Sequence, residues 1–503
     1  MLSRRELLFL TAFFVLSLPA VTSRLYSSDE VQYFSYLRSL WFDHDVSFEN
    51  EYQYFYDHQI ARSPDFHTTF LELETAAHRR INYGTIGSAI LWSPFYAVGD
   101  VAARVMRAAG RDVAVDGYSQ PYLSAVAYGS AFYGFATIVL AVAAARRLIG
   151  ARAVSSGFAV WLGTPLLFYM YIAPPFSHAC SAFAVALFVS VWLNVRQRWS
   201  VPGAVALGAA AALMAMVREQ DIFFALGPAV DFGVAFLKRD TRESARGPSE
   251  ARSGRARASG GGAPRAVSNA RQSSRNNARL ILAAIAGCLA FALAYLPQLF
   301  AYQAINGRPR PSPLVMRKMY WHSPHAFQVM ADTEHGFLFW TPLAALAIVG
   351  LIMLTTTPDR ATACTADAPL RADARRIGGC MLLMVALQIY VSGAVASWTV
   401  AGAFGQRRFV GVTIILVVGL AALREWMRTD RWRIATNVAI AVCVWWNLAL
   451  TAEFGTSMMD RQKLELKRNA YDAFVTLPRT APGLMYRYFT ERASFYKPAE
   501  PAR

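Results

Sequence analysis

Seven carboxylate side chains lie within one aromatic-rich stretch near the start of the chain, residues 27–58. The first two, Asp29 and Glu30, follow closely on an apolar run, Leu7 to Thr22, that is long enough to cross a bilayer. No membrane helix could hold that set of charges, so the stretch must lie in water just beyond the first membrane crossing. A carboxylate there can take a proton from an acceptor hydroxyl, and partial desolvation would raise its pKa toward working pH. The alternative is a solvated acidic loop without chemistry.

Other polar residues could bind an acceptor. Glu30 points away from Asp29 if the segment is helical, so it would orient Asp29 or bind the acceptor. Asp43 and Asp45 form a second acidic pair that could bind an acceptor sugar or a divalent cation, although a lone Asp-x-Asp is weak evidence for metal. His335, in the sequence EHGFLFW, is expected where an outer loop enters a span. It could bind the acceptor or the sugar, or it could be a simple interfacial residue. We therefore predict no metal ligands and no cofactor, and leave a divalent cation open.

Two basic pairs are expected on the same face of the membrane. Arg79 and Arg80 follow His78 in the sequence HRRIN, and a guanidinium fork matches the oxygens of a phosphate. Headgroup anchoring would explain this pair equally well, and His78 beside it could bind the acceptor or the sugar. Arg407 and Arg408, in SWTVAGAFGQRRF, also fall outside, against the usual bias of arginine toward the cytosol. They could hold a phosphate leaving group, or bind lipid phosphate without any reaction.

The composition places these residues in a membrane protein. Of 503 residues, 55% are hydrophobic and only 17% are charged, whereas soluble proteins carry about 25% charged residues. The net charge of +17 could suggest nucleic acid, but the excess lies in short loops and one low-complexity insert. It therefore reflects topology, and no nucleic-acid partner is expected. The five cysteines show no paired spacing, which indicates neither a metal knuckle nor a disulfide framework.

Apolar runs of about 17 to 25 residues predict an all-α polytopic membrane protein with about eleven transmembrane helices. The run from Tyr83 to Met106 is expected to lie in the outer interface, because counting it as a span would place the basic RRLIGAR turn outside. A basic segment with almost no large apolar residues is expected to be a disordered cytosolic loop. The predicted organisation is an N-terminal membrane half (1–237) with a large first outer loop (25–119), the basic loop (238–279), a C-terminal membrane half (280–451) and an extracytoplasmic tail (452–503).

One carboxylate, Asp231, falls well inside a short span. An intramembrane carboxylate is a candidate functional residue by default. Because Asp231 is predicted to lie toward the cytosolic half, away from the outer acidic stretch, a structural hydrogen bond to a neighbouring helix is the preferred interpretation.

The order of these parts resembles the GT-C class of integral-membrane glycosyltransferases, which includes protein O-mannosyltransferases and aminoarabinose transferases. The resemblance rests on Asp29 and Glu30 in the first outer loop, then HRRINYGTIGSAILWSPF leading an interfacial helix, then a span ending in RRLIGARA. HGFLFWTP and SWTVAGAFGQRRF are similar to pieces of uncharacterised bacterial proteins with dolichyl-phosphate-mannose-transferase-like membrane domains. The similarity covers most of residues 1 to about 420, through short motifs.

The resemblance implies a GT-C-like fold and a transfer reaction at the outer face of the bacterial inner membrane. A sugar would pass from a polyprenyl-phosphate donor, a membrane lipid, to a glycan, lipid or protein acceptor, commonly with inversion at the anomeric centre. By the same resemblance Asp29 becomes the base, with Arg79 or Arg80 near the carrier phosphate. Two features of the family are absent: INYGTIG replaces a lysine or histidine with paired prolines, and DGYSQPYL lacks the arginine that often starts the next span. Arg407 or Arg408 would then supply what those positions lack.

Two other functions stay open from the sequence. A transporter or flippase for a lipid-linked glycan would place discontinuous helices and charges near the midplane and often shows repeated halves, and apart from Asp231 the sequence displays neither. A non-catalytic membrane scaffold would tolerate neutralisation of the acidic stretch. The glycosyltransferase is the leading hypothesis.

Overall fold

The computed structural model describes residues 2–61, 64–150, 152–245, 264–356, 373–400 and 402–496. Over this part of the chain the protein is helical, and β-type backbone pairing is limited to two isolated bridges, Glu74 with Arg80 and Met319 with Val395. The prediction of an all-α protein is confirmed for these residues. Cys364 and the middle of the predicted basic loop, 246–263, lie outside the described residues.

Seven helices in the described ranges are long and apolar enough to cross a membrane. They are Gln120–Leu148, His178–Val195, Glu219–Leu237, Asn277–Ala294, Ala374–Ala394, Arg407–Trp426 and Asp430–Gly455. Three shorter apolar helices accompany them, namely Ala153–Leu162, Val201–Val217 and Leu343–Thr356. Length and composition thus support a membrane protein with several crossings, while the number eleven stays a prediction.

The other helical elements complete the fold. Three of them, Leu226–Ala245, Pro264–Ala294 and Thr413–Trp426, overlap spans already named. The α-helices are Arg4–Ser17, Ser28–Arg38, Glu49–Asp57, Pro64–Phe66, Gly87–Ala108, Leu166–Tyr171, Leu226–Ala245, Pro264–Ala294, Leu296–Asn306, Pro313–Arg317, Ala326–Ala331, Phe337–Trp340, Thr413–Trp426, Leu466–Tyr471 and Leu477–Thr490. Segments of 3₁₀ or π geometry are Leu18–Ala20, Ser39–Asp43, His67–Glu72, Glu219–Ala225, Arg407–Val412, Asp472–Thr476 and Arg492–Tyr496. The predicted interfacial run corresponds to Gly87–Ala108, and its depth in a bilayer stays a prediction.

The first helix is shorter than the predicted span. Helix Arg4–Ser17 begins with a capping box, in which the Ser3 hydroxyl accepts from the backbone N–H of Glu6 and the Glu6 carboxylate accepts from that of Ser3. The α-helix ends before Pro19 because proline has no backbone N–H with which to continue it. The rest of the apolar run starts with the 3₁₀ turn Leu18–Ala20.

Helical structure extends into both ends of the predicted basic loop. Leu226–Ala245 and Pro264–Ala294 run beyond the limits 238 and 279 that composition predicted. Alanine and arginine are among the best helix formers, so a polar segment rich in them can continue a helix without apolar contacts. The structure thus describes helix at both ends of the predicted loop, and the disorder of the segment as a whole stays a prediction.

Two helix crossings bring backbones into direct contact. A Cβ atom on Gly208 would overlap the carbonyl oxygen of Gly287, which belongs to the helix Pro264–Ala294. The same holds for Gly350 and the carbonyl oxygen of Gly419. Small residues permit such close approach, and helices in a bilayer commonly associate in this way.

The tail and the first outer loop lie at the same end of the helix bundle, as predicted. Arg492 donates to the carbonyl of Ala20 at 2.7 Å, just beyond the end of the first helix that leads to Asp29. At the other end of that helix, Glu6 pairs with Arg146 of the RRLIGAR turn. The compartment that each end faces stays a prediction.

The acidic stretch folds around its own aromatic residues. Five rings are buried to 1% exposure or less, namely Phe34, Tyr36, Phe48, Tyr52 and Phe55. Above them, Arg38 pairs with Asp43 and with the buried Glu51. The stretch is therefore a packed unit, not a fully solvated loop.

Asp231 is wholly buried and joins three helices. Its carboxylate accepts from Trp192 Nε1 at 2.9 Å and from Arg196 Nε at 2.8 Å, at the end of the helix His178–Val195. Nε of Arg376, from the helix Ala374–Ala394, lies 2.7 Å away. The predicted structural hydrogen bond to a neighbouring helix is confirmed, and two arginines compensate the buried charge.

Replacing Asp231 by Ala should destabilise the protein by about 3 kcal/mol, because it removes the buried partner of two arginines. The half-exposed Asp373 would then be their one remaining carboxylate partner among the contacts described. Thermal unfolding of the purified variant in detergent measures the loss. Asp430→Ala is the matched control. The Asp430 side chain is 89% exposed, and its contact with Arg433 is a long one, at 3.4 Å. Equal melting temperatures for the two variants would contradict a stabilising role for Asp231.

Candidate active site

The helix Ser28–Arg38 fixes the position of Asp29. The Ser27 hydroxyl accepts from the backbone N–H of Glu30 at 3.3 Å, and the Glu30 carboxylate accepts from the N–H of Ser27 at 3.0 Å. This capping box defines where the helix starts. Asp29 then falls in the first turn, where the helix dipole favours a negative charge.

Glu30 is buried beneath this turn and has a structural role in the cap. Its carboxylate also accepts from the N–H of Tyr26 at 2.8 Å, and the side chain has no exposed surface. Burial raises the pKa of Glu30 to about 8, which outweighs the lowering by its backbone hydrogen bonds. This shift favours the protonated form of Glu30 at neutral pH, and its hydrogen bonds shape the turn that carries Asp29. Its predicted role in catalysis stays a prediction.

Asp29 forms an ion pair with Arg407. Oδ2 of Asp29 lies 2.8 Å from Nη1 of Arg407, and the two side chains are 39% and 22% exposed. The guanidinium also lies over the ring of Phe176, 5.5 Å from its centroid. A carboxylate from the start of the chain and a cation from its last third thus meet at one partly buried point.

Both members of the pair line a cavity of about 200 Å³. The rest of the wall is mainly aromatic, with Tyr26, Ser27, Ser28, Phe168, Tyr169, Phe176, Gly402, Ala403, Phe404 and Phe454. Two of these rings, Phe168 and Phe404, stack with centroids 4.5 Å apart and hold the wall together. A cavity in which aromatic side chains accompany a few convergent polar groups is a common form of small-molecule site.

The charge of a second arginine, Arg218, affects the Tyr33 hydroxyl on the helix that carries Asp29. Tyr33 lies one turn after Asp29 on the same face of its helix. Burial raises the pKa of the Tyr33 hydroxyl, while the charges of Arg218 and Arg407 lower it and the charge of Asp29 raises it. Arg218 thus contributes to the electrostatics of this helix face, although it does not line the cavity that contains Asp29.

Arg218 and Arg408 are held by polar neighbours. Arg218 hydrogen-bonds Nδ1 of the buried His178. Arg408 donates from Nη1 to the carbonyl of Ser397 at 3.0 Å and from Nη2 to the hydroxyl of the same residue at 3.2 Å. Neither contact involves a carboxylate, so these two guanidinium charges add to the positive potential beside the Asp29–Arg407 pair.

The sequence prediction missed Arg218. Arg218 lies in the turn REQD, which was predicted to be outside the membrane. Arginine is unusual in outer loops, and this reason for selecting Arg407 and Arg408 applies equally to Arg218. Asp221 of the same turn is buried and accepts from the Ser181 hydroxyl at 2.6 Å. Glu219 of the same turn accepts from the Tyr302 hydroxyl, so both carboxylates of this turn have hydroxyl partners.

His335 supports the loop that carries Arg407. It is fully buried, and its Nε2 lies 2.9 Å from the carbonyl oxygen of Ala403, which lines the cavity. The imidazole stacks on Trp340 with ring centroids 5.0 Å apart. Burial lowers the pKa of His335 to about 4, so the ring is neutral and donates to the carbonyl. Through this bond His335 positions the loop from inside the protein.

The other predicted phosphate-binding pair lies elsewhere. Arg80 pairs with Glu49 at 2.7 Å and with Glu74 at 3.5 Å, so its charge is compensated by carboxylates. Arg79 is exposed, and His78 lies 3.5 Å from Glu74 with 90% of its side chain exposed. The residues Arg79, Arg80 and His78 do not line the cavity that contains Asp29.

Asp43 and Asp45 take part in local contacts. Asp43 pairs with Arg38 and accepts from the side-chain amide of Asn50 at 2.8 Å. Asp45 accepts from the Ser39 hydroxyl at 2.7 Å and from the backbone N–H of Ser47 at 3.0 Å. These contacts stabilise the turn after the helix Ser28–Arg38. Over the described ranges no three His, Cys, Asp or Glu side chains converge as metal ligands.

Comparison with known proteins adds no assignment. No protein-family model matches the chain, and no curated protein matches it. The chemistry of the site is therefore argued from its own geometry.

The cavity offers one carboxylate that can accept a proton and cations that can hold an anion. Asp29 and Arg407 are close enough for both functions to act on one bound molecule. The pair is partly buried beside aromatic rings, and electrostatic interactions are stronger in such surroundings than in bulk water. Proton transfer from a hydroxyl coupled to loss of an anionic leaving group fits this arrangement.

Glu30→Gln should flatten the pH dependence of stability between pH 5 and 8. In the unfolded chain Glu30 has its ordinary pKa of 4.5, whereas in the folded protein the pKa is about 8. The folded state therefore binds more protons in this interval, and the stability that Glu30 contributes is lost as pH rises. Melting temperatures of purified wild type and variant across this interval measure the effect.

The amide of Gln can still accept from the two backbone N–H groups, so Glu30→Gln should retain the fold. Asp57→Asn serves as the control, because Asp57 lies exposed on the same stretch and should leave the wild-type slope unchanged. An unchanged slope in Glu30→Gln would contradict a protonated Glu30.

Proposed function

We propose that the protein is a glycosyltransferase that moves a sugar from a polyprenyl-phosphate donor to an acceptor at the outer face of a bacterial inner membrane. The observation that carries the proposal is the 2.8 Å contact between Asp29 and Arg407 in a cavity with aromatic walls. It supports transfer because such a reaction needs a base and a cation at one place. The apolar helices and the resemblance to the GT-C class agree with it.

The proposed reaction has one chemical step. The acceptor hydroxyl gives its proton to Asp29 while its oxygen attacks the anomeric carbon of the donor. The bond from that carbon to the phosphate oxygen breaks, and polyprenyl phosphate leaves with the bonding electrons. Arg407, with Arg218 and Arg408 nearby, would stabilise the charge that develops on the phosphate. Attack opposite the leaving group inverts the anomeric centre.

The ion pair offers a way to couple donor binding to activation of the base. Before the donor binds, Arg407 neutralises Asp29. A donor phosphate would compete for the guanidinium fork, which binds phosphate oxygens in pairs. Asp29 would then be released from the guanidinium and could accept the hydroxyl proton of the acceptor. The carboxylate would be available as a base only when a donor is present.

The transporter alternative drew on Asp231, the intramembrane carboxylate. Its charge is compensated by Arg196 and Arg376, and both contacts are structural. This residue therefore gives the transporter alternative no support, and the ion pair in the cavity favours transfer.

Asp29→Asn should reduce transfer by at least about 100-fold, because an amide cannot act as a general base. Mass spectrometry of lipid extracts measures this in cells that carry the wild-type gene, the variant or no gene. Cells with the variant should accumulate the same polyprenyl-phosphate sugar as cells without the gene, at wild-type protein level.

Asp57→Asn is the matched control, since it neutralises an exposed carboxylate on the same stretch. Among the contacts described, Asp57 accepts one hydrogen bond, from the side-chain amide of Gln53 one turn earlier. The control variant should restore the wild-type lipid profile. A normal profile in cells that carry Asp29→Asn would refute the assignment of the base.

A further inference from the structure

Three arginines surround a second cavity at the end of the molecule opposite Asp29. The cavity has a volume of about 230 Å³. Its lining residues are Arg152, Arg424, Met427, Arg433, Thr436 and Asn437. They come from the start of the helix Ala153–Leu162, the end of Thr413–Trp426 and the start of Asp430–Gly455. Segments far apart in the sequence thus bring their basic ends together.

The arginines are positioned by backbone and hydroxyl groups. Arg152 donates to the carbonyl of Arg424, and Arg424 Nη1 donates to the Ser155 hydroxyl at 2.5 Å. Nε of Arg433 donates to the carbonyl of Met427 at 3.0 Å. Each guanidinium has five N–H donors, so these bonds orient the three groups and leave donors for a ligand.

Carboxylates neutralise this cluster only weakly. Glu425 lies 3.8 Å from Arg152 and Asp430 lies 3.4 Å from Arg433, and both carboxylates are at least half exposed. Neither of them lines the cavity. The lining therefore presents guanidinium groups together with neutral Thr436 and Asn437, a donor set that suits the oxygens of a phosphate.

The surface around the cavity indicates the level of lipid headgroups. Trp426 and Trp432 are 49% and 65% exposed beside it, and Ile434 and Val438 of the same surface are also exposed. Tryptophan is enriched where a membrane helix meets the headgroups, because one part of the ring is apolar and another is polar. Exposed aliphatic side chains of the helix Asp430–Gly455 would then contact acyl chains.

We propose that this cavity binds a phosphate group, and that an anionic phospholipid of the adjoining leaflet supplies it. Basic pockets between membrane helices recognise lipid headgroups in this way. The guanidinium groups would hold the phosphate while the exposed aliphatic face holds the acyl chains. Because the residues are far from Asp29 in the fold, this proposal does not depend on the transfer reaction.

The test compares Arg433→Gln with Arg431→Gln in the purified full-length protein. Arg431 is an exposed arginine on the same helix turn that does not line the cavity, so its variant removes the same charge without altering the site. Native mass spectrometry with phosphatidylglycerol should show binding about fivefold weaker for Arg433→Gln, as expected for the loss of one arginine at a lipid headgroup. Arg431→Gln should bind as wild type, and phosphatidylcholine should not compete.

A second arm adds inorganic phosphate to lipid-depleted protein and follows thermal unfolding. One outcome is that free phosphate stabilises the protein, that Arg433→Gln alone loses this stabilisation, and that phosphatidylglycerol does not bind. The cavity would then be a phosphate site for a soluble anion and not for a lipid. Equal lipid binding by the two variants, with no differential response to phosphate, would overturn the proposal. Arg433→Lys keeps the charge but loses the fork, so an intermediate affinity is expected even if the Gln variant fails to fold.

Discussion

The ion pair between Asp29 and Arg407 is the contact on which the candidate site depends. Removing a charged partner from partly buried surroundings leaves the other charge without compensation, so both residues must be held in register. The capping box at Ser27 fixes the carboxylate. On the other side, His335 fixes Ala403, four residues before the arginine. Each support is buried, so the pair is positioned by the core of the protein.

The balance of charge around the Asp29–Arg407 pair differs from that around Arg38 and Arg80. Arg80 lies between Glu49 and Glu74, and Arg38 lies between Asp43 and Glu51, so each of these cations has two carboxylate partners. Arg407 pairs with one carboxylate, Asp29, and both line the cavity. A guanidinium with one carboxylate partner beside a cavity has donors left for an anion, which is why we associate binding with this cavity and structure with the others.

The sequence predicted the all-helical architecture with apolar helices long enough to cross a membrane, and it named Asp29 together with several candidate arginines. It could not tell which arginine pairs with Asp29. The partners of Arg80 and Arg407 are fixed by packing between segments hundreds of positions apart or by local turns that composition does not reveal. Periodicity and loop charge report which end of the bundle a residue occupies. They do not report that Glu49 turns toward Arg80, or that the turn after Val217 brings Arg218 near Tyr33. The limits of the basic loop were missed because low hydrophobicity excludes a core but does not exclude a helix.

The crossing at Gly208 and Gly287 has a consequence for how the chain folds. The first glycine precedes the long basic insert and the second follows it, so the two predicted membrane halves share a backbone-to-backbone interface. A fragment ending before the insert would expose a groove shaped for a helix that it lacks. The stability of the first half should therefore depend in part on a helix that the chain supplies only after the insert.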